Sequence, residues 1–156
     1  MSLYILMASK KEWGNIVWFL FHTLSYKLNN DAHISKLLEQ IFSICQNLPC
    51  EDCASHASSI LKTVNVSNIK TRSDLIKLML DFHNIINKRL GKAEYTIEQH
   101  NEQYSRAITG RIVSQFIIIM KHNNYTEKGM LHSFKKKQCT QSFIKYINEN
   151  KENYQP

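Results

Sequence analysis

Leu48-Pro49-Cys50-Glu51-Asp52-Cys53 sets two cysteines three residues apart, directly after a proline. Proline fixes its own φ and withholds one N–H, so it suits the first turn of a helix. Two cysteines at this spacing then lie on adjacent faces of that turn, close enough to bond. The partial positive charge at a helix N-terminus favours thiolate over thiol and makes such a cysteine nucleophilic near neutral pH. The stretch is therefore a candidate redox disulfide. Half of a zinc site, or two reduced structural thiols, are the alternatives that a lone CxxC leaves open.

Outward from this stretch the chain reads as helices. Residues 32–46, behind a polar break at Asn29-Asn30-Asp31 in which Asn30 or Asp31 can cap, carry Ile34, Leu37, Leu38, Ile41, Phe42 and Cys45 at helical spacing. The helix that opens at the Cys50 turn runs to about Val64, and its early alanines, Ala54 and Ala57, allow a flat group to lie close to the backbone. A longer pattern from Glu12 to Leu28 is apolar on several sides, which predicts burial in a bundle or at a dimer interface. Within it Gly14, Trp18, His22 and Tyr26 recur at every fourth residue. Each such step drifts by about 40°, so the four project from one side. They could line a planar ligand, or be core residues with a satisfied histidine. The fourth pattern spans Ser73, a candidate cap, to Leu90, with Gly91 as its stop. His83, Asn84 and Asn87 are set into its apolar face. Buried polar groups need partners, which points to a polar ligand or to an interhelical hydrogen-bond network.

Bulk properties agree. At 156 residues the chain is long enough for one domain with its own core, and 43% hydrophobic residues is a globular composition. Four glycines and two prolines leave few breakers, as an all-α chain requires. The net charge of +7 is spread along the chain, and its one run, Lys135-Lys136-Lys137, is short; a solvated basic face is expected, with no nucleic-acid partner. The apolar run Met1–Met7 is too short for a signal-peptide core, and no stretch reaches membrane-spanning length. A cytoplasmic protein without membrane insertion is expected. In that compartment four cysteines are not a disulfide framework, which favours a redox role for the pair.

Taken together, Trp13-Gly14 with Trp18, His22 and Tyr26, then Cys50-Glu51-Asp52-Cys53-Ala54, then His83-Asn84 through Asn87 to Leu90-Gly91-Lys92 and Tyr95, resemble the small FAD-dependent sulfhydryl oxidases of the Erv/ALR family. The resemblance covers about residues 12–96 and is nearest to the small stand-alone members of large cytoplasmic DNA viruses. It implies a four-helix bundle with FAD in the bundle mouth, here with extra C-terminal helical segments. Residues 1–11 would be an N-terminal segment, 12–96 the oxidase domain, and 97–156 an extension packed on the same domain. It further implies that Cys50 exchanges with substrate and Cys53 lies nearer the flavin. The cofactor-binding residues would be Gly14, Trp18, His22, Tyr26, His83, Asn84, Asn87, Leu90, Lys92 and Tyr95. Electrons would pass from a protein dithiol, or a small redox carrier protein, to Cys50/Cys53, to FAD and to O2 with release of H2O2, in a homodimer. No metal is implied. The chain departs from the family pattern at Asn15, where an arginine is usual, and at Leu80, where a structural cysteine is usual. It also has no second CxxC or CxC to act as a shuttle.

Beyond residue 96, Tyr104, Ala107, Ile108, Ile112, Phe116, Ile117 and Met120 suggest one further helix, although Ile117–Ile119 could form a short strand. Leu131 to Ile147 suggests another helix, carrying Cys139. These segments read as added packing; a sharper alternative makes Cys139 an electron carrier, which needs Cys45 or another chain as its partner. The rival to the whole reading is a basic helical binding module whose CxxC is reduced or holds zinc with His56. A flavin-free thiol–disulfide exchanger lacks its usual βαβ context here.

Overall fold

In the computed structural model, residues 10–121 and 130–156 are described; the Met1–Met7 run lies outside them. Among these residues there are seven α-helices: α1 (Lys10–Lys27), α2 (Ile34–Gln46), α3 (Glu51–Leu61), α4 (Arg72–Arg89), α5 (Ile97–Ser105), α6 (Thr109–Lys121) and α7 (Met130–Glu149). The fold class is all-α, a helical bundle with additional C-terminal helices.

Helix α1 is the element around which the others pack. It buries Trp13, Val17, Leu20, Phe21 and Leu24, and α4, α5 and α6 each lie against it. Its surplus of apolar residues is thus covered within the chain, so that feature no longer argues for a dimer interface. On the other side of the molecule α2 packs between α3 and α7, and α6 meets α7. Ala54, Ala57 and Leu61 are the buried residues of α3, and the small ones let it approach closely.

Helix ends account for most differences from the sequence expectations. Pro49 stands one residue before the N-cap, Cys50, and not in the first turn. Proline disfavours helical backbone at its predecessor, Leu48, which agrees with α2 ending at Gln46 with Asn47 as its cap. Helix α4 is capped by Thr71 rather than Ser73. The Asp74 N–H donates to Thr71 Oγ1 at 3.1 Å, and the Thr71 N–H donates back to the Asp74 carboxylate at 2.9 Å. Asn30 caps the turn Asp31–His33, and Asp31 instead accepts the N–H of Arg72 at 3.0 Å. At the far end of α4, Gly91 takes φ +69°, with Lys92 N–H on the Asn87 carbonyl and Gly91 N–H on that of Lys88. That is a Schellman stop, for which glycine has no Cβ penalty.

The single helix expected over Tyr104–Met120 is two, α5 and α6, with a break at Arg106–Ile108. The carbonyl of Ser105, last in α5, accepts the buried ammonium of Lys27 at 3.1 Å. Ile117–Ile119 is helical, not a strand; Val113, Phe116 and Met120 are buried at helical spacing while Ile118 is exposed. Phe116 and Phe143 meet edge to face at 5.1 Å and belong to the same core as Leu20 and Leu37. The C-terminus closes on the end of α1. Gln155 N–H donates to the Lys27 carbonyl at 2.8 Å, Asn29 N–H to that of Asn153 at 2.9 Å, and Tyr146 and Tyr154 share a hydroxyl bond at 2.5 Å. No described helix is long and apolar enough to cross a membrane.

Candidate functional site

Cys50 holds the N-cap of α3 in extended backbone, and its Sγ accepts the backbone N–H of Cys53 at 3.2 Å. A sulfur in this position faces the positive end of the helix. Both cysteines are half-buried and pack against the central core, as does Trp18. The carbonyl of Leu48, two residues upstream, accepts a hydrogen bond from Nε2 of His132 on α7, so the C-terminal segment braces the CxxC loop.

A groove of about 460 Å³ opens between α1, α4, the turn after α4, and α5. Its lining includes Trp18, His83, Asn87, Lys92, Tyr95 and Tyr104. Trp18 and His83 stack at 4.1 Å with planes 8° apart, and Tyr95 stacks on His83 at 5.8 Å with planes 25° apart. Behind His83 lie two further imidazoles. His83 Nδ1 and His22 Nε2 are 2.8 Å apart, and His22 Nδ1 and His100 Nε2 are 3.1 Å apart. Burial, helped by the adjacent His83 and His100, holds His22 well below the ordinary imidazole value. Burial first, then Lys92, brings His83 down to about 4, and burial lowers His100. The three rings are neutral at pH 7. Burial, with Tyr95 nearby, pushes the Tyr104 phenol up.

Of the residues singled out from sequence, Trp18, His83, Asn87, Lys92 and Tyr95 line the groove. His22 is fully buried behind it. The Asn84 amide is engaged at both ends by the Tyr95 backbone, each bond 2.9 Å, so it holds the turn that carries Tyr95. Tyr26 lies beyond the groove under the guanidinium of Arg72, 5.4 Å from the ring centroid. Gly14 is in α1 with nothing within 4 Å of a Cβ built there, and Leu90 is an exposed helix cap. Neither Cys50 nor Cys53 lines the groove. Sequence reading missed Phe19, Gln99, Gln103 and Tyr104 as lining residues, and His100 as a member of the histidine group. The i, i+4 pair His100/Tyr104, at the spacing of His22/Tyr26 in α1, was the available signal.

The groove suits a flat, hydrogen-bonding cofactor of the flavin dinucleotide type. Asn87 Nδ2 is buried with no hydrogen-bond partner, although its residue lines the groove. A buried donor left unpaired costs about 1–3 kcal/mol, which an acceptor on a bound group removes. Trp18, His83, Tyr95 and Tyr104 offer aromatic faces, and Lys92 a cation for a phosphate. Asn15, which stands where the family pattern has arginine, also lines the groove. The zinc reading is not favoured. Among the described residues no three His, Cys, Asp or Glu side chains gather as a metal site, and His56 faces the guanidinium of Arg89 on α4.

Comparison with known proteins agrees with this geometry. The model of the Erv1 / Alr family matches residues 15–105, taking in α5 as well as the first four helices. FAD-linked sulfhydryl oxidase ERV1 of Oryza sativa subsp. japonica is 24% identical over 101 residues, covering 63% of this chain and 52% of the relative. The 088R protein of frog virus 3 (isolate Goorha), provisionally named a FAD-linked sulfhydryl oxidase, is 33% identical over 94 residues, covering 55% and 61%. The FPV093 protein of fowlpox virus (strain NVSL), provisionally named likewise, is 26% identical over 88 residues, covering 56% and 88%. The chain thus spans little more than half the length of the first of these relatives. No solved structure matches it.

Proposed function

The chain belongs to the Erv1 / Alr family, and on that premise we propose that it is a FAD-dependent thiol oxidase that places disulfides in protein dithiols. The observation that carries the reading is the groove: aromatic faces around the unpartnered Asn87 Nδ2, on the same core against which the Cys50/Cys53 helix packs. Relatives named as FAD-linked support the choice of cofactor.

In the oxidised pair a substrate thiolate attacks Cys50 Sγ. The Cys50–Cys53 bond breaks, a substrate–Cys50 disulfide forms, and the electron pair of the broken bond remains on Cys53. The substrate's second thiolate then attacks its own sulfur in that mixed disulfide. Cys50 leaves as thiolate toward the N–H of Cys53, the substrate disulfide closes, and the substrate's two protons pass to solvent or to the leaving sulfurs. The pair has gained two electrons. FAD, when bound, supplies the acceptor for those electrons and their delivery to O2 as H2O2. Trp18, His83, Tyr95 and Tyr104 would hold its ring systems, Asn87 would donate to a ring or ribose acceptor, and Lys92 would meet a phosphate. Asn84 would act by holding the turn that carries Tyr95, and His22 by backing His83; Gly14, Tyr26 and Leu90 take no part in the groove. A cytoplasmic location and a homodimer belong to the same proposal and rest on the resemblance; sedimentation of the full chain decides the second.

Cys53→Ser separates the roles. The variant is expected to bind FAD as the wild type does and to lose dithiol-dependent oxygen uptake. Undiminished uptake would sink the assignment.

A further inference from the structure

The three imidazoles form a directional chain, and its direction is set from the far end. Asn101 Oδ1 lies 3.1 Å from His100 Nδ1. The exposed Asn101 amide is oriented with its oxygen toward the ring, and an amide oxygen only accepts; on that orientation the proton of neutral His100 is assigned to Nδ1, and its Nε2 carries a lone pair. That lone pair is 3.1 Å from His22 Nδ1, which must then be the N–H. A neutral ring holds one proton, so His22 Nε2 accepts, and His83 Nδ1, 2.8 Å away, donates to it. His83 Nε2 is left as an acceptor on a ring that lines the groove. Burial of His22, 1% exposed, and of His100, also 1% exposed, shields the two inner links from water.

We infer that His100 is a positioning residue: it fixes His22 and His83 as Nδ1–H tautomers, so that His83 offers the groove a hydrogen-bond acceptor. Beside the Asn87 Nδ2 donor, the groove then selects a ligand that carries both an N–H or O–H and a carbonyl or ring-nitrogen acceptor. This deepens the proposed function and rests on it for the identity of the ligand as FAD; the tautomers themselves do not depend on it. His100 touches no groove space and acts through His22. Removing its Nε2 leaves His22 free to carry its proton on Nε2, the form preferred by an isolated imidazole. His83 would then receive at Nδ1 and turn a proton, not a lone pair, toward the groove.

The test is ¹⁵N-resolved imidazole spectroscopy on the full chain near neutral pH, without FAD, for wild type, His100→Leu and His100→Gln. In the wild type, His22 and His83 are expected to carry their protons on Nδ1. His100→Leu should move the His22 proton to Nε2, whereas His100→Gln, whose amide oxygen can still accept from His22 Nδ1, should keep the wild-type pattern. FAD titration of the same proteins should show affinity falling roughly tenfold in His100→Leu, equivalent to about 1.4 kcal/mol, and recovering in His100→Gln. An Nε2–H tautomer of His22 in the wild type overturns the inference without needing any variant to fold. So does a His100→Leu protein with unchanged tautomers. If the tautomers are as stated but no form binds FAD, it is the proposed function that fails.

Discussion

At the scale of single residues, the site combines groups whose roles follow from their partners. Asn87 has a buried Nδ2 with nothing to bond, which is why the proposal turns it toward the ligand; Asn84, three residues earlier, has both ends satisfied by Tyr95. The two looked alike in sequence. Spacing along α4 placed both near one face, but which amide had a local partner depended on the turn that follows Gly91. Asn87→Leu removes the unpaired donor and is expected to leave stability unchanged or raised while weakening FAD binding; thermal unfolding and FAD titration read the two effects. The histidines give a pH signature. His22, His83 and His100 are held neutral by burial, with His83 at about 4 against an ordinary 6.5. A base with a lowered folded value binds its proton more readily when unfolded, so stability is full above pH 6.5 and falls as pH drops from 6.5 toward about 4. Urea midpoints across that range should decline, and His83→Gln should flatten the decline.

At the scale of helices, periodicity read well and boundaries read poorly. The patterns in α1, α2 and α4 were visible because apolar side chains repeat at helical spacing over several turns. The cap of α4 was misplaced by two residues, although Thr71 and Asp74 stand at capping-box spacing. The break between α5 and α6 was hidden, and the contact made there, Lys27 to the Ser105 carbonyl, spans 78 residues of sequence. For the same reason His100 went unread as part of the site; its partner His22 lies in another helix. The C-terminal helices contribute core rather than covering it. Phe143, 0% exposed, packs with Phe116, so Phe143→Ala should cost about 3–5 kcal/mol by denaturant titration. Cys139 is buried against α2, its Sγ 3.4 Å from Ser43 Oγ, and burial pushes its thiol up, as burial and Cys139 do for Cys45. Neither is suited to carry electrons between proteins. Cys139→Ala should therefore leave the rate of protein-dithiol oxidation unchanged; a large loss in stopped assays of substrate thiols would restore the carrier role.

At the scale of the whole molecule, five helices distant in sequence meet around the site. Helices α1 and α4 supply the groove, α5 closes it with Tyr104, and α3 presents the CxxC, whose loop is braced by His132 of α7. The fold class and the principal aromatic and polar groove residues were legible from pattern and resemblance. The depth of His22 and the engagement of Tyr26 by Arg72 were not, since side-chain partners across helices leave no local trace. The family match over residues 15–105 takes in all of these parts except α7, and purification of the full chain tests the proposed thiol oxidation through FAD most directly. The account predicts a yellow protein that releases FAD on denaturation and consumes oxygen, with formation of H2O2, when given dithiothreitol. A colourless protein that carries stoichiometric zinc and leaves dissolved oxygen untouched would contradict it.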